Sequence, residues 1–458
     1  MKDMTKEFSS GKILPLVFKL TIPAVIAQLI TFLYNIVDRM YVSNIEGIKT
    51  EALAALGIVL PITIIVQAFA NLIGLGGSPK ASMKLGEGKN NEANNIFNNA
   101  TSSLFFIGLL MTIILFVFAK DIVILFGCPI NAIKYATDYL KIYALGSIFI
   151  IIVQGLNPFI SAEGHALLAM LTTLIGAILN IILDPIFIFT FSLGVKGASI
   201  ATILSQFVSF VWVLIVFFQK ESIFKFNIKE MKLKKEIMLG ILFLGLSPFI
   251  MTFTESLIQI VFNVCLKLST GGESSDYTAA LTIMLSALQL ISLPLNGLGY
   301  GIAPFVSYNY GKGDGYRLKK GIKYTFIIAL IFVLIVYSIS MLFPIIYARL
   351  FNASDSVTLI IKQYTPLFLM GSIMFCVQMT LQNVNVALGQ GKTAVILATL
   401  RKVVILIPLC FILSNLIGFK GVYLSEGIAD LVAGIITSIV IFTTFPKVIN
   451  KRVIETQK

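Results

Sequence analysis

Apolar positions run on for about 20 residues or more at a time along this chain before giving way to polar turns. Each run is long enough to cross a hydrocarbon core roughly 30 Å thick as a helix. Twelve spans are expected, approximately at 13–41, 53–79, 99–119, 135–158, 166–190, 196–218, 237–266, 278–308, 323–345, 357–386, 393–415 and 418–446. The pattern is written twice. Pro23, Ala54-Ala55-Leu56, Gly74, Gly76, Pro79, Ser82, Gly86 and Gly88 recur as Pro248, Ala279-Ala280-Leu281, Gly299, Gly301, Pro304, Ser307, Gly311 and Gly313, all displaced by 225 residues. Gly194-Val-Lys196-Gly197 returns as Gly418-Phe-Lys420-Gly421, one residue short of that spacing. The repeated unit is therefore a bundle of six membrane helices.

The expected fold is an all-α membrane protein, with twelve transmembrane helices in two pseudo-symmetric six-helix lobes. Residues 1–218 form the first lobe, 219–236 a cytoplasmic linker rich in Lys and Glu, and 237–458 the second lobe. Because six is even, both copies enter the bilayer from the same side, and an axis along the membrane normal relates them.

Composition agrees. Hydrophobic residues are 57% and charged residues 12% of the chain, with a mean hydropathy of +0.94, where a soluble domain has roughly a quarter of its residues charged. The charges are unevenly placed. Counting Arg401 and Lys402 with the turn before the eleventh span, 24 Lys and Arg residues fall on one side, Lys2 and Lys458 among them, and seven on the other, including Lys49. By the positive-inside bias both termini are cytoplasmic. The net charge of +13 is thus a property of short juxtamembrane loops without interleaved aromatics, and does not indicate nucleic-acid binding.

The chemistry of soluble enzymes is missing. The first span is too long for the apolar core of a secretory signal and no small-residue cleavage site follows it. Cys128, Cys265, Cys376 and Cys410 are isolated and read as core residues, and His165 as a polar turn residue. Gly389-Gln-Gly391-Lys392-Thr393 resembles part of a nucleotide loop, but the required Gly is Val386 and the turn joins two membrane helices. No nucleophile and base are paired and the linker holds no module large enough to hydrolyse a nucleotide, so if the chain is a transporter its energy must come from an ion gradient.

Ionisable groups inside spans are costly and functional by default. The first half has Asp38 with Asn35 one turn before it, Asn180 with Asp184 at i, i+4 on the fifth span, and Thr202 on the sixth. Asp38 and Asp184 lie about 26 and 18 residues from the cytoplasmic starts of their helices, roughly 39 and 27 Å, which puts both in the outer half of the membrane with Thr202. Two carboxylates, an amide and a hydroxyl brought together can take up a proton or surround a desolvated sodium ion with oxygen. Asp38 could instead end its helix beside Arg39, and Asp184 could compensate a kink at Pro185.

Thr21-Ile-Pro23, Tyr34-Asn35-Ile-Val-Asp38-Arg-Met-Tyr-Val42, Ala54-Ala-Leu56, the Pro79 to Gly88 segment, Asn180-Ile-Ile-Leu-Asp184-Pro185 and Gly194 to Thr202 together resemble the multidrug and toxic compound extrusion (MATE) transporters, over essentially the whole chain. The bacterial multidrug exporters, including the staphylococcal ones, are the most similar subgroup. The resemblance implies a cation site at Asp38, Asn180, Asp184 and Thr202, with Asn35, Tyr139 and Asn157 as neighbouring polar groups. It also implies H⁺ or Na⁺ as the coupling ion, no other cofactor or metal, amphipathic and mostly cationic small-molecule substrates, and a monomer in the plasma membrane. An acidic residue on span seven is represented by Glu255, about one position from its expected place, facing either the cavity or neighbouring helices. The second half has Asn263 where the first has Asp38, and carries Glu426 and Asp430 at i, i+4. Asp430 either touches ligand or partners Arg401 or Lys402.

The expected function is cation-coupled export by alternating access, with Pro23 as a bending point and the outer loops near Lys49 and Gly272 parting as the lobes rock. A flippase for lipid-linked precursors, of related two-lobe architecture, is the alternative; twelve spans and buried carboxylates speak against it. A channel or receptor would not need two copies around a midplane site.

Overall fold

The computed structural model describes residues 5–45, 47–271, 275–351 and 353–457. Lys2 and Lys458 of the charge bias, and Gly272 of the outer loop, lie outside the described residues. Helices α1 (Thr5–Ser10), α2 (Ile13–Ser43), α3 (Lys49–Gly86), α4 (Asn90–Val117), α5 (Ala119–Leu125), α6 (Ile133–Ala162), α7 (Ala166–Pro185) and α8 (Val195–Phe218) make the first half. The second comprises α9 (Lys235–Ser269), α10 (Ser275–Lys312), α11 (Gly315–Leu342), α12 (Ile345–Leu350), α13 (Asp355–Phe368), α14 (Ser372–Ala387), α15 (Gly391–Thr399), α16 (Ile407–Ile417) and α17 (Phe419–Gln457). Short π-helical stretches, Ile186–Thr190 and Leu400–Leu406, continue α7 and join α15 to α16. Among the described residues eleven helical spans are long and apolar enough to cross a membrane, and α13 with α14 supplies the twelfth as a span bent by 62°.

The protein is a multi-pass membrane protein with two lobes of six spans each. One buried cluster holds Ile73, Phe97, Leu156 and Phe159 of the first lobe, and another Phe262, Met284, Phe368 and Tyr423 of the second. The lobes meet where α3 packs on α9 and α10, and α2 on α10. Glycine permits the approach at repeat-related places: a Cβ on Gly76 would collide with α9 at Ile241 and Gly245, and one on Gly301 with α2 at Leu20 and Thr21.

Two segments pack across the expected boundaries. The start of the chain belongs by contact to the second lobe. Phe8 is buried with Leu16, Val17 and Leu20 among Phe305, Val306 and Leu318, and Arg317 donates from Nε to the Phe8 carbonyl at 2.8 Å and from Nη2 to that of Gly11 at 2.8 Å. Such an extended apolar and polar anchorage is not visible in a six-residue helix read alone.

The linker is fastened to the first lobe. Asparagines on α4 pair with its backbone: the Lys225 N–H donates to Asn94 Oδ1 at 2.8 Å, the Asn227 N–H to Asn98 Oδ1 at 2.8 Å and the Lys234 N–H to Asn99 Oδ1 at 2.7 Å. Phe224 stacks on Phe97 at 5.3 Å. Glu163, just beyond α6, accepts from the Ser222 hydroxyl and the Phe224 N–H, both at 2.7 Å. Burial pushes its carboxyl up to about 7, against the opposing pull of those donors.

Candidate functional site

Three helices of the first lobe converge on a buried polar pocket. Asp184 is fully buried at the end of α7, one turn after Asn180, which is 4% exposed. Asn180 Nδ2 donates to Asp184 Oδ1 at 3.2 Å and lies 3.5 Å from Thr202 Oγ1 on α8. Asp38 on α2 brings its carboxyl group within hydrogen-bonding range of Asp184. Arg39 is exposed and acts on Asp38 through space. One oxygen each of Asp38, Asn180 and Asp184 is buried without a protein partner. Asp38, Asn180, Asp184 and Thr202 are thus brought together.

Tyr139 joins them from α6, within electrostatic reach of Asp38 and Asp184, and it stacks near Tyr143 with ring centroids 6.4 Å apart. Tyr34, one turn before Asp38, lies within electrostatic reach of both carboxylates. Sequence reasoning passed over Tyr34 and Tyr143, although the i, i+4 spacing to Asp38 and Tyr139 puts each on the relevant helix face. Asn157 is elsewhere: its amide donates to the Ala169 carbonyl at 3.1 Å, some 18 residues or roughly 27 Å along α6 from Tyr139. Asn35 is part-buried on α2, and Pro23 is buried within α2, which continues through it as one helix.

The second lobe holds a different cluster. Arg401 lies in the π-helical stretch and is not a turn residue. It donates from Nη2 to Glu426 Oε1 at 2.5 Å and from Nε to Asp430 Oδ1 at 2.6 Å, with its guanidinium 4.2 Å from the Phe375 ring centroid. Lys402 pairs with Glu255 and donates to the Met251 carbonyl at 2.8 Å. Both cations are almost fully buried in mid-span, so neither belongs in the loop-charge bias, which becomes 22 to seven. Asp430 is the partner of Arg401.

Glu255 faces the inside of the protein. The exposed stripe of α9 is Leu239, Phe243, Leu246, Leu257, Ile260 and Val264, and Glu255 stands two residues from Leu257, about 160° around the helix. Yet its side chain is 53% exposed. Its exposure is thus on the face turned away from that stripe, within electrostatic reach of Tyr300 of α10.

Cys265, Cys376 and Cys410 are buried and all four cysteines are free. Among the described residues no group of three His, Cys, Asp or Glu side chains could hold a metal ion.

A family model described as MatE matches residues 23–186 and again 248–412. The multidrug export protein MepA of Staphylococcus haemolyticus (strain JCSC1435) is 28% identical over 444 residues, covering 95% of each chain. A crystal structure of MATE in the straight conformation superposes with a TM-score of 0.90 at 24% identity, over 98% of this chain and 99% of that one. An outward-facing multidrug resistance MATE family transporter of the MOP superfamily gives a TM-score of 0.89 at 24% identity, over 100% and 99%. The two matched stretches coincide with the two copies of the repeat, and the chain belongs to the MatE family.

Proposed function

We propose that this protein exports amphipathic, mostly cationic small molecules across the plasma membrane in exchange for H⁺ or Na⁺, by alternating access between its lobes, with both termini cytoplasmic. The observation that carries the reading is the contact of the Asp38 and Asp184 carboxyl groups. Two carboxylates in a dry pocket repel unless a positive charge joins them. Asn180, Thr202 and Tyr139 add neutral oxygens and leave the pocket suited to a proton or a desolvated monovalent cation.

Occupancy of that pocket couples to motion because its carboxylates stand on different helices. With the cation bound, α2 and α7 are drawn together; without it, repulsion favours their separation. Since α2 also packs on α10 of the other lobe, a change in its position alters the contact between lobes and biases one access state over the other. The missing N–H of Pro23 leaves a weak point in α2 for that adjustment. The substrate chamber lies between the lobes, where Glu255 and aromatic side chains line the wall.

The names of the staphylococcal relatives support multidrug export as the task. The test is accumulation of a fluorescent lipophilic cation in cells expressing the protein. Cells making the intact chain should accumulate less dye than those making Asp38→Asn at equal membrane level; equal accumulation would contradict the proposal.

A further inference from the structure

Two cations of the second lobe share a cavity that holds no counter-charge. Arg349 of α12 and Lys362 of α13 line an open cavity of about 220 Å³, with Leu342, Phe343, Pro344 and Ile346 as its apolar side. Both cations are exposed, and among the described residues neither has an ion pair or a hydrogen bond. The one carboxylate on α12 and α13, Asp355, stands two turns before Lys362 and pairs with neither. Like charges that share a cavity repel, and an anion between them removes the repulsion. The repeat does not supply this pair. Across the 225-residue spacing Arg349 corresponds to Ile124 and Lys362 to Thr137, so the first lobe has no counterpart.

The position of the cavity selects the anion. Helix α11 leaves Arg317 at the lysine-rich end and reaches the cavity with Leu342, about 25 residues or roughly 38 Å away, at the opposite face of the bilayer. Lys362 stands about seven residues, or roughly 10 Å, inside α13, on a face it shares with the 68% exposed Leu359. A lysine on a lipid-facing surface at that depth turns its ammonium to the phosphate layer. Along α11 the exposed residues Ile331, Ile335, Ile339 and Leu342 form a stripe that runs into the cavity, a track for an acyl chain that a free anion would not use. The cavity volume is about seven times the roughly 30 Å³ share of one water, enough for a phosphate and the glycerol it esterifies.

We propose that this cavity binds the headgroup of an anionic phospholipid from the leaflet at that end, the outer one in the orientation given above. The phosphate lies between Arg349 and Lys362, the glycerol fills the cavity, and one acyl chain follows Leu342 and Ile339 along α11. The Arg349 guanidinium can offer two parallel N–H donors to two phosphate oxygens, and the Lys362 ammonium acts as a point charge. A zwitterionic lipid brings an ammonium of its own, which the two cations repel, so the anionic headgroup is preferred. Bound there, the lipid ties the end of α11 and α12 to α13, the outer arm of the bent span.

Native mass spectrometry of the purified full chain counts the lipids it retains, and the probes are phosphatidylglycerol and phosphatidylcholine with the same acyl chains. The first phosphatidylglycerol should bind roughly tenfold more tightly than phosphatidylcholine. Arg349→Gln with Lys362→Gln should abolish that preference, whereas Lys134→Gln with Lys267→Gln, an equal loss of exposed charge at the same end of the molecule, should keep it. Equal binding of the two lipids, a preference that survives the first pair of substitutions, or one lost equally with the second pair would overturn the proposal. So would competition by glycerol 3-phosphate as effective as that of the lipid, which would make the site one for a free anion. Melting temperature gives a second reading: phosphatidylglycerol should raise that of the unaltered chain, and an equal rise in the Arg349→Gln, Lys362→Gln protein would contradict the site. Binding is read here without transport, so failure of the export reading leaves this result unchanged.

Discussion

Gly86 and Gly311, repeat mates 225 residues apart, press on each other's helices at the lysine-rich end of the protein: a Cβ on Gly86 would collide with the Tyr308 carbonyl, and one on Gly311 with the Met83 carbonyl. Met83 and Tyr308 are themselves 225 residues apart. The seam between α3 and α10 is therefore a two-fold contact that only glycine allows on either side. Beside it Arg452 of α17 donates from Nη2 to Glu87 at 2.7 Å and from Nε to the Tyr310 carbonyl at 3.1 Å.

This seam closes the space between the lobes from the cytoplasmic side in the proposed orientation. Gly86→Ala or Gly311→Ala should wedge it open, at an overpacking penalty of about 1–3 kcal/mol, and shift the lobes toward the state open to the cytoplasm. Spin labels on the ends of α3 and α10 should report longer distances than in the unaltered chain. Arg452→Glu should act in the same direction, and Glu87→Arg added to it should restore the shorter distances.

Asp38→Asn and Asp184→Asn should each abolish coupled export without loss of insertion. Each removes one of two facing negative charges, so each variant should melt at the same temperature as the unaltered protein or higher. Lower melting temperatures for both, measured in detergent, would mean that the carboxylates are there for stability.

Thr202→Val separates the two coupling ions. It removes one hydroxyl oxygen from the pocket while nearly preserving shape. Under sodium coupling, the sodium concentration for half-maximal transport should rise several-fold, in line with about 1 kcal/mol for a lost polar contact. Under purely protonic coupling the curve should stay flat in sodium for both proteins.

Glu163 gives a pH signature outside the membrane. Its carboxyl ionises near its ordinary value of 4.5 in the unfolded chain but at about 7 when folded. The native state thus holds its proton longer than the unfolded state, and stability present below 4.5 is lost as pH rises through that interval to about 7. Glu163→Gln escapes that loss. Its melting temperature should therefore gain on that of the unaltered protein between pH 5 and pH 8, and a constant difference across this range would show that Glu163 is ionised throughout.

The number, order and approximate limits of the twelve spans were legible because apolar runs of that length have few other uses, and the repeat confirmed their grouping. The pocket of Asp38, Asn180, Asp184 and Thr202 was legible for a related reason: polar residues in such runs are rare, and rise per residue sets their depth. What stayed hidden depends on contacts between segments. The bend at Leu369–Gly371 follows Pro366 and sits where Gly371 closes on the Gly427 carbonyl and Asp430 of α17, a contact between segments distant in sequence. Arg401 and Lys402 looked like loop charges because a pair of adjacent cations seldom lies in mid-membrane; three carboxylates from two other helices make it tolerable. The asparagines of α4 carried no periodic signal announcing a backbone partner some 130 residues away.

The central claim is coupled exchange, and reconstituted protein tests it most directly. Liposomes loaded with a fluorescent lipophilic cation would be given a proton gradient, a sodium gradient, or neither, with the intact chain and with Asp184→Asn. The account predicts export that follows at least one imposed gradient for the intact chain and follows neither for Asp184→Asn. Export by the intact chain at the same rate with both gradients collapsed, or gradient-driven export by Asp184→Asn, would contradict it.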